Sequence, residues 1–277
     1  MGALFLRFPE GKAKALTLSY DDGVEHDIQL MGILKKYGLK GTFNLNSGLY
    51  AGEGTVYSKT DIHRRLTREQ VTELYTDSGM EVAAHGLTHA FPLQSPDPAL
   101  MKELVQDREN LEQQFHTIVR GLAYAFGHFD DRVVECVRKA GLVYARTIIS
   151  SHSFAIPEDW LRLKPTCHHN DPQLKELEER FLNSKKREPQ LFYLWGHSYE
   201  FEEKDNWNVI EEFARNMGGR EDIWYATNIQ VYDYTEAWKQ IQFSVDGHIA
   251  HNPTAVKVWF AKDDTEYSLL PGETVFL

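Results

Sequence analysis

The sequence predicts an α/β fold: a mainly parallel sheet closing into a (β/α) barrel of about seven strands, followed by a small β-rich tail. Two observations predict it. Short apolar runs alternate with segments of helical spacing between residues 13 and 240. From residue 243 onward the helical spacing disappears, and strand-like runs at 255–260 and 274–277 are separated by the turn pairs Asp246-Gly247 and Pro271-Gly272. The expected division is therefore a barrel over residues 1–240 and an appendage over 241–277.

The elements follow in order. Residues 13–20 alternate Leu16, Leu18 and Tyr20 with small or polar neighbours, which reads as a strand. Ile28, Met31, Leu34 and Tyr37 keep helical spacing up to Gly38. Residues 41–46 form the next strand. Thr67 with Gln70 makes a capping-box pattern that opens a helix reaching toward Gly79. A short strand at 80–84 ends on His85. Helix 97–119, strand 122–126, helix 131–140 and strand 142–148 continue the rhythm. After an irregular stretch at 150–170 come helix 172–186, strand 191–195, helix 207–217, strand 223–226 and helix 231–240.

Composition narrows the function. The chain has 277 residues, 42% hydrophobic and 26% charged, with a formal net charge of -11. That balance is ordinary for a globular protein. An acidic surface repels phosphate backbones and anionic lipid heads, so nucleic acid and membrane are not expected partners. Two cysteines, Cys136 and Cys167, form no CxxC pair and read as buried thiols. The N-terminal residues lack the basic leader, long apolar core and cleavage site of a secretory signal, and no apolar run reaches the ~18 residues of a membrane span. A cytoplasmic location is the expectation.

The polar residues carry the chemistry. Asp21 and Asp22 follow the first strand, His85 and His89 the third, and His197 the strand at 191–195. In a parallel barrel the C-terminal strand ends converge on one face, where catalysis sits. Taken singly, Asp-Asp-Gly is a turn, His-x-x-x-His a solvated helix face, and His197 a satisfied core residue. Together they make a hydrolytic set. Zinc takes imidazole nitrogen and carboxylate oxygen and keeps a position open for water. Two histidines four apart reach one ion from a single helical turn. A second carboxylate can take a proton from water, and a histidine opposite can protonate a departing amine.

The stretches LTLSYDDG, HGLTH and LFYLWGH resemble the first, second and last motifs of the polysaccharide deacetylase family, carbohydrate esterase family 4 or the NodB-homology domain. The resemblance covers roughly residues 13–240. It implies a distorted (β/α) barrel and a divalent metal, most often Zn2+, with Co2+, Ni2+ and Mn2+ as alternatives. It implies Asp21 as general base, Asp22, His85 and His89 as metal ligands, and His197 as general acid. It also places a backbone N–H near Phe126 at the oxyanion. The implied activity is removal of N-acetyl groups from an amino sugar or oligosaccharide.

The sequence departs from the family pattern twice. Ala123 stands where the third motif carries an Arg that tethers the catalytic Asp, and Arg146, in LVYARTI, stands near an acidic position of the fourth. We expect Arg146 to replace the missing Arg, pairing with Asp21 from a neighbouring strand. An Arg beside a carboxylate favours its ionised form. A surface Arg is the plainer alternative. His168 and His169 either orient His197, contact substrate, or serve the loop before a helix whose start Asn170 and Asp171 mark. Glu200 is a hydrogen-bond partner for a sugar or for His197. Tyr124, Phe126, Trp195 and Tyr199 flank the site and offer either sugar-stacking faces or core packing. His26, His63, His116, His128, His152, His248 and His251 read as background. The alternatives to a sugar deacetylase are a hydrolase of a non-sugar amide and a carbohydrate-binding protein without activity. Oligomeric state is not legible.

Overall fold

The computed structural model describes residues 3–58, 60–263 and 265–277. The chain opens on strand β1 (Leu4–Arg7), then β2 (Lys14–Asp21), α1 (His26–Lys36), β3 (Gly41–Leu45) and α2 (Arg68–Tyr75). It continues through β4 (Glu81–Ala84), α3 (Asp97–Phe115), β5 (Gly121–Ala123), α4 (Asp131–Lys139) and β6 (Tyr144–Arg146). Next come β7 (Cys167–His168), α5 (Leu174–Asn183), β8 (Gln190–Gly196), α6 (Tyr199–Glu203), α7 (Trp207–Met217), β9 (Ile223–Tyr225) and α8 (Asn228–Lys239).

One parallel sheet runs in the order β6-β5-β4-β3-β2-β8-β7, with β9 paired to β2. β2 is its spine. It pairs with β8 along Lys14 to Tyr20, while β9 takes Lys14 to Leu16 and β3 takes Leu18 to Asp21. Every residue of β2 and of β8 is buried, as expected for parallel strands covered on both faces. The sheet curls. The Thr147 N–H donates to Leu163 O at 2.8 Å, and the Thr166 N–H donates to Tyr193 O at 2.8 Å, so the segment after β6 bridges toward β8. This is the distorted parallel barrel that the sequence predicts.

Helices lay apolar stripes on that sheet. In α3, Leu100, Leu104 and Leu111 are buried, and so is Asp107 in the same stripe. The capping box at Thr67 and Gln70 is present. α2 is shorter than expected, because Thr76 already has extended backbone. β5 ends at Ala123 rather than 126: a short 3-10 turn follows, with Phe126 in left-handed backbone at φ 57°.

The tail holds β10 (Gln242–Phe243), β11 (Ile249–His251), β12 (Val258–Lys262), β13 (Thr265–Leu269) and β14 (Thr274–Phe276). They form two antiparallel sheets, β1-β12-β13 and β10-β11-β14. Strand β1 was not expected, and its register with β12 spans almost the whole chain. An apolar cluster of Ile241, Ala250, Val258, Phe260 and Leu269 packs with Ala237 of α8. The Tyr234 hydroxyl of α8 donates to Arg7 O at 2.8 Å. These contacts lie where β2 begins, whereas the predicted site residues lie where β2 ends.

Candidate active site

β2 ends on Asp21, and the chain turns away through Asp22 and Gly23, both with positive φ (86° and 64°). Asp tolerates this backbone better than most residues. The turn aims both carboxylates into the barrel mouth. Asp21 and Asp22 are 2% and 7% exposed, so each needs partners. Asn44, at the facing position of β3, donates its amide to Asp21 Oδ1 at 2.8 Å and to Ser19 Oγ at 2.8 Å. Arg146 donates to Asp21 Oδ2.

The pairing expected of Arg146 is therefore made, but not from a neighbouring strand. β6 lies at the far edge of the sheet from β2, and curling brings their ends together across the mouth. The guanidinium is 1% exposed and stands over the Trp195 ring at 4.3 Å, a cation–π contact that stiffens it. Burial alone would raise the Asp21 carboxyl; Arg146, then His85 and His197, outweigh it and hold it below its ordinary value.

Asp22, His85 and His89 bring one ligand atom each within 4.8 Å of one another. His85 Nδ1 lies 2.8 Å from Ala123 O. A carbonyl only accepts, so Nδ1 carries the hydrogen and Nε2 is left as a lone pair. His89 Nε2 lies 3.1 Å from His85 Nε2. Two tetrahedral ligands at about 2.1 Å from a zinc ion stand about 3.4 Å apart, so the donor set fits a divalent cation. Burial lowers the His85 imidazole, and burial with His85 pushes His89 down to about 4, which keeps the rings neutral as metal binding requires.

The two histidines do not share a helical turn. They sit on a loop after β4 that reverses at His89, φ 54°. Side chains of α3 pin that loop: Asp107 accepts the His85 N–H at 3.0 Å, and Glu103 accepts the Thr88 N–H at 2.8 Å. Asp107 is buried and pushed up to about 6 by that burial.

Asp22 has further partners. Arg65 donates to its Oδ1 at 3.0 Å and also to its backbone carbonyl, and His63 Nε2 lies 3.2 Å from its Oδ2. Burial is outweighed by His63, His85 and Arg65, and the carboxyl is held far below the carboxylate range. His63, taken as background from sequence, is thus part of the site. Its only sequence signal is a run of basic residues, His63 to Arg65, in a polar loop.

His197 follows β8. Its Nε2 is 3.6 Å from Asp21 Oδ2, and its Nδ1 is 3.6 Å from Glu200 Oε2. Burial would lower this imidazole; Glu200, then Asp21 and Asp22, outweigh it and raise it. The next residue, Ser198, donates to Asp27 Oδ1 at 2.5 Å, which ties the turn to α1. His168 and His169 lie beside Glu200 rather than capping a helix; α5 begins at Leu174.

The aromatics divide. Tyr124 is 2% exposed, and its hydroxyl donates to Leu161 O at 2.8 Å, within the core. Trp195 is 7% exposed and backs Arg146. Phe126 is 43% exposed, contacts the His89 ring at 4.3 Å between centroids, and stacks on Phe91 at 4.0 Å. Tyr199 packs edge-on against His63 at 4.9 Å.

Residues 9–145, about half of the chain, match the sequence model described as polysaccharide deacetylase. This stretch belongs to the polysaccharide deacetylase family. It holds Asp21, Asp22, His85, His89 and Phe126; His197 lies beyond it. A candidate polysaccharide deacetylase from Mycobacterium smegmatis superposes with a TM-score of 0.60 at 18% identity, covering 86% of this chain and 96% of that one. A family 4 carbohydrate esterase from Streptomyces lividans, solved with acetate, gives 0.50 at 15% identity, covering 78% and 93%. A Streptococcus pyogenes deacetylase, also solved with acetate, gives 0.42 at 22% identity over 48% of this chain, which spans 55% of that one. The first two establish the shared barrel fold. No curated protein matches the sequence. No helix among the described residues is long and apolar enough to cross a membrane.

Proposed function

We propose that the protein is a divalent-metal-dependent hydrolase that removes N-acetyl groups from an amino sugar or oligosaccharide. One observation carries this reading. One oxygen of the buried Asp21 carboxylate, Oδ2, is 3.8 Å from His85 Nε2, a member of the three-donor group, and 3.6 Å from His197 Nε2. This convergence supports reading Asp21 as a base beside a cation site, with His197 as the acid.

Asp22, His85 and His89 are the residues that would hold the ion, and Zn2+ suits a set of two imidazoles and a carboxylate, with Co2+, Ni2+ and Mn2+ able to occupy it. When bound, the ion polarises an amide carbonyl and lowers the pKa of a coordinated water to about 7. Asp21 takes the proton of the attacking water. Arg146 and Asn44 keep it ionised and aimed for that step. The backbone N–H at Phe126 stabilises the oxyanion. His197 gives a proton to the leaving nitrogen, and acetate and a free amine depart. The exposed Phe126 ring lies against His89 and stacks on the exposed Phe91, a surface suited to the apolar face of a sugar.

The test is acetate release from N-acetylated mono- and oligosaccharides alongside non-sugar N-acetyl amides, with added zinc or cobalt and again with chelator. Chelator-sensitive release from a sugar is the expected result. Turnover of a non-sugar amide alone, by metal-loaded protein, would overturn the substrate assignment.

A further inference from the structure

The two loops that carry the cation ligands are joined by side chains that are not ligands. Asp22 follows β2 and His85 follows β4, and the strand order β4-β3-β2 puts β3 between them. The residue just past β3 is Asn46, which is 1% exposed. Its side-chain amide donates to His85 O at 2.8 Å and to Gly86 O at 2.7 Å. Both amide hydrogens are thereby spent, and two carbonyl partners fix which end of the side chain is the NH2. Its Oδ1 accepts from Arg65 Nη1 at 2.9 Å.

Arg65 closes the link. The same nitrogen donates to Asp22 O, and Nη2 donates to Asp22 Oδ1 at 3.0 Å. Backbone sets the position of this side chain. Arg65 pairs with Val24 in an antiparallel bridge, the Leu66 N–H donates to Gly23 O at 3.1 Å, and the Glu25 N–H donates to Arg64 O at 2.8 Å. The Tyr57 hydroxyl donates to Arg65 O at 2.9 Å. The oxygen that Arg65 holds, Asp22 Oδ1, is 3.9 Å from His85 Nε2. A carboxylate oxygen has two lone pairs, so one can accept from Arg65 while the other is left for an ion.

A cation on Asp22 can affect metal binding in two opposite ways. As a charge, it neutralises the carboxylate and repels the ion, so its removal would tighten binding. As a fork, it fixes the carboxylate and its turn, so its removal would loosen binding. The geometry favours the fork. Neutralising Asp22 needs one contact, whereas the guanidinium is spread over a carboxylate, a backbone carbonyl and the Asn46 amide oxygen, which is what its planar, directional donors allow. Asp22 also stands at φ 86°, backbone that persists only where its surroundings determine it, and Arg65 grips both its carbonyl and its carboxylate.

We propose that Arg65 and Asn46 are positioning residues for the metal: one hydrogen-bonded bracket, running Asp22–Arg65–Asn46–His85, that sets the carboxylate against the imidazoles before an ion arrives. This rests on the reading of Asp22, His85 and His89 as the cation site.

The experiment strips full-length protein with chelator and titrates it with Co2+, following the visible absorption of the bound ion, with a competing chelator to give the affinity. The variants are Arg65→Met, Arg65→Lys, Asn46→Ala and the double variant of Arg65→Met with Asn46→Ala. Thermal unfolding of each metal-free protein shows that it is folded. Each single variant is expected to bind one Co2+ per chain ~10–100-fold more weakly than wild type. Arg65→Lys should not restore the affinity, because one ammonium cannot serve three acceptors in the geometry of the fork. The double variant should lose little more than the worse single variant, since each cut opens the same bracket. Unchanged or tighter Co2+ binding by folded Arg65→Met, or wild-type affinity in Arg65→Lys, would overturn the proposal in favour of plain charge neutralisation. Losses that add in the double variant would overturn the bracket. If Arg65→Met does not fold, Arg65→Lys and Asn46→Ala carry the same test. The titration needs no substrate. A wild type that binds Co2+ but releases no acetate from any sugar would remove the deacetylase reading and leave this one standing, whereas a Co2+ site untouched by His85→Ala would overturn this one.

Discussion

His85 and His89 are held by backbone and by α3, whereas His197 faces side chains that come from β7, the residue after it and α6. His85 takes its tautomer from a strand carbonyl, Ala123 O, and its backbone from Asp107. His197 faces Glu200, whose Oε2 is 3.0 Å from His168 Nε2 and 3.0 Å from His169 Nε2. The first arrangement needs few residues in a short stretch, and it is what a motif records. The second is assembled from parts that meet only in the folded barrel. The comparison implies that the donor side fails all at once when a ligand is lost, while the acid side fails by degrees.

The largest effect is expected at a ligand. His85→Ala should abolish tight metal binding and, with it, chelator-sensitive acetate release. Zinc content after gel filtration is the check, and retained stoichiometric zinc would break the ligand assignment.

Next is the buried pair across the mouth. Arg146→Ala leaves Asp21 buried without its cation, and breaking such a pair costs about 3–5 kcal/mol. Thermal unfolding should show a clear fall in Tm, and turnover should fall with it because Asp21 loses its bias toward the ionised form. The sign follows from linkage. The folded Asp21 pKa is depressed, so its contribution is present above the unfolded value of about 3.9 and is lost as pH falls through the folded value. The Tm gap between wild type and Arg146→Ala should therefore narrow in acid. A gap that is absent at neutral pH would mean that the pair stabilises nothing.

The smallest effect concerns the anchor under His197. Asp27 accepts from Ser198, from the Tyr75 hydroxyl at 2.6 Å and from the Val24 N–H at 3.2 Å, yet burial pushes its carboxyl up to about 7. Here the sign is opposite. Between about 4 and about 7 the folded state keeps a proton that the unfolded state has released, so stability falls as pH rises across that window and levels off above it. Asp27→Asn should flatten that slope in a Tm-versus-pH series. Asp107, pushed to about 6, contributes with the same sign, so part of the slope should remain. An unaltered slope would show that Asp27 is already ionised.

The same contrast explains what the sequence reveals. Strand ends and short-range motifs are legible because they are local. Asp21 ends β2 and Asp22 follows it, the α2 capping box is made, and α7 spans the expected Trp207–Met217. The third-motif Arg was visible as a gap at Ala123, and Arg146 as its replacement. Their route across the mouth was not, because nothing local encodes how far the sheet curls. His63 and Arg65 reach Asp22 from a loop of irregular backbone with no periodicity to read. Asp107 hides in the helical spacing of Leu100, Leu104 and Leu111. β1 is four residues long, and its partner β12 lies at the other end of the chain.

The most direct test of the central claim is acetate release by zinc-loaded wild type against zinc-loaded Asp21→Asn, with bound zinc measured in both. The account predicts equal zinc and a ~10²–10⁴-fold loss of turnover in the variant. Equal zinc with turnover preserved would contradict it, because Asp21 would then not be the base on which the whole arrangement converges.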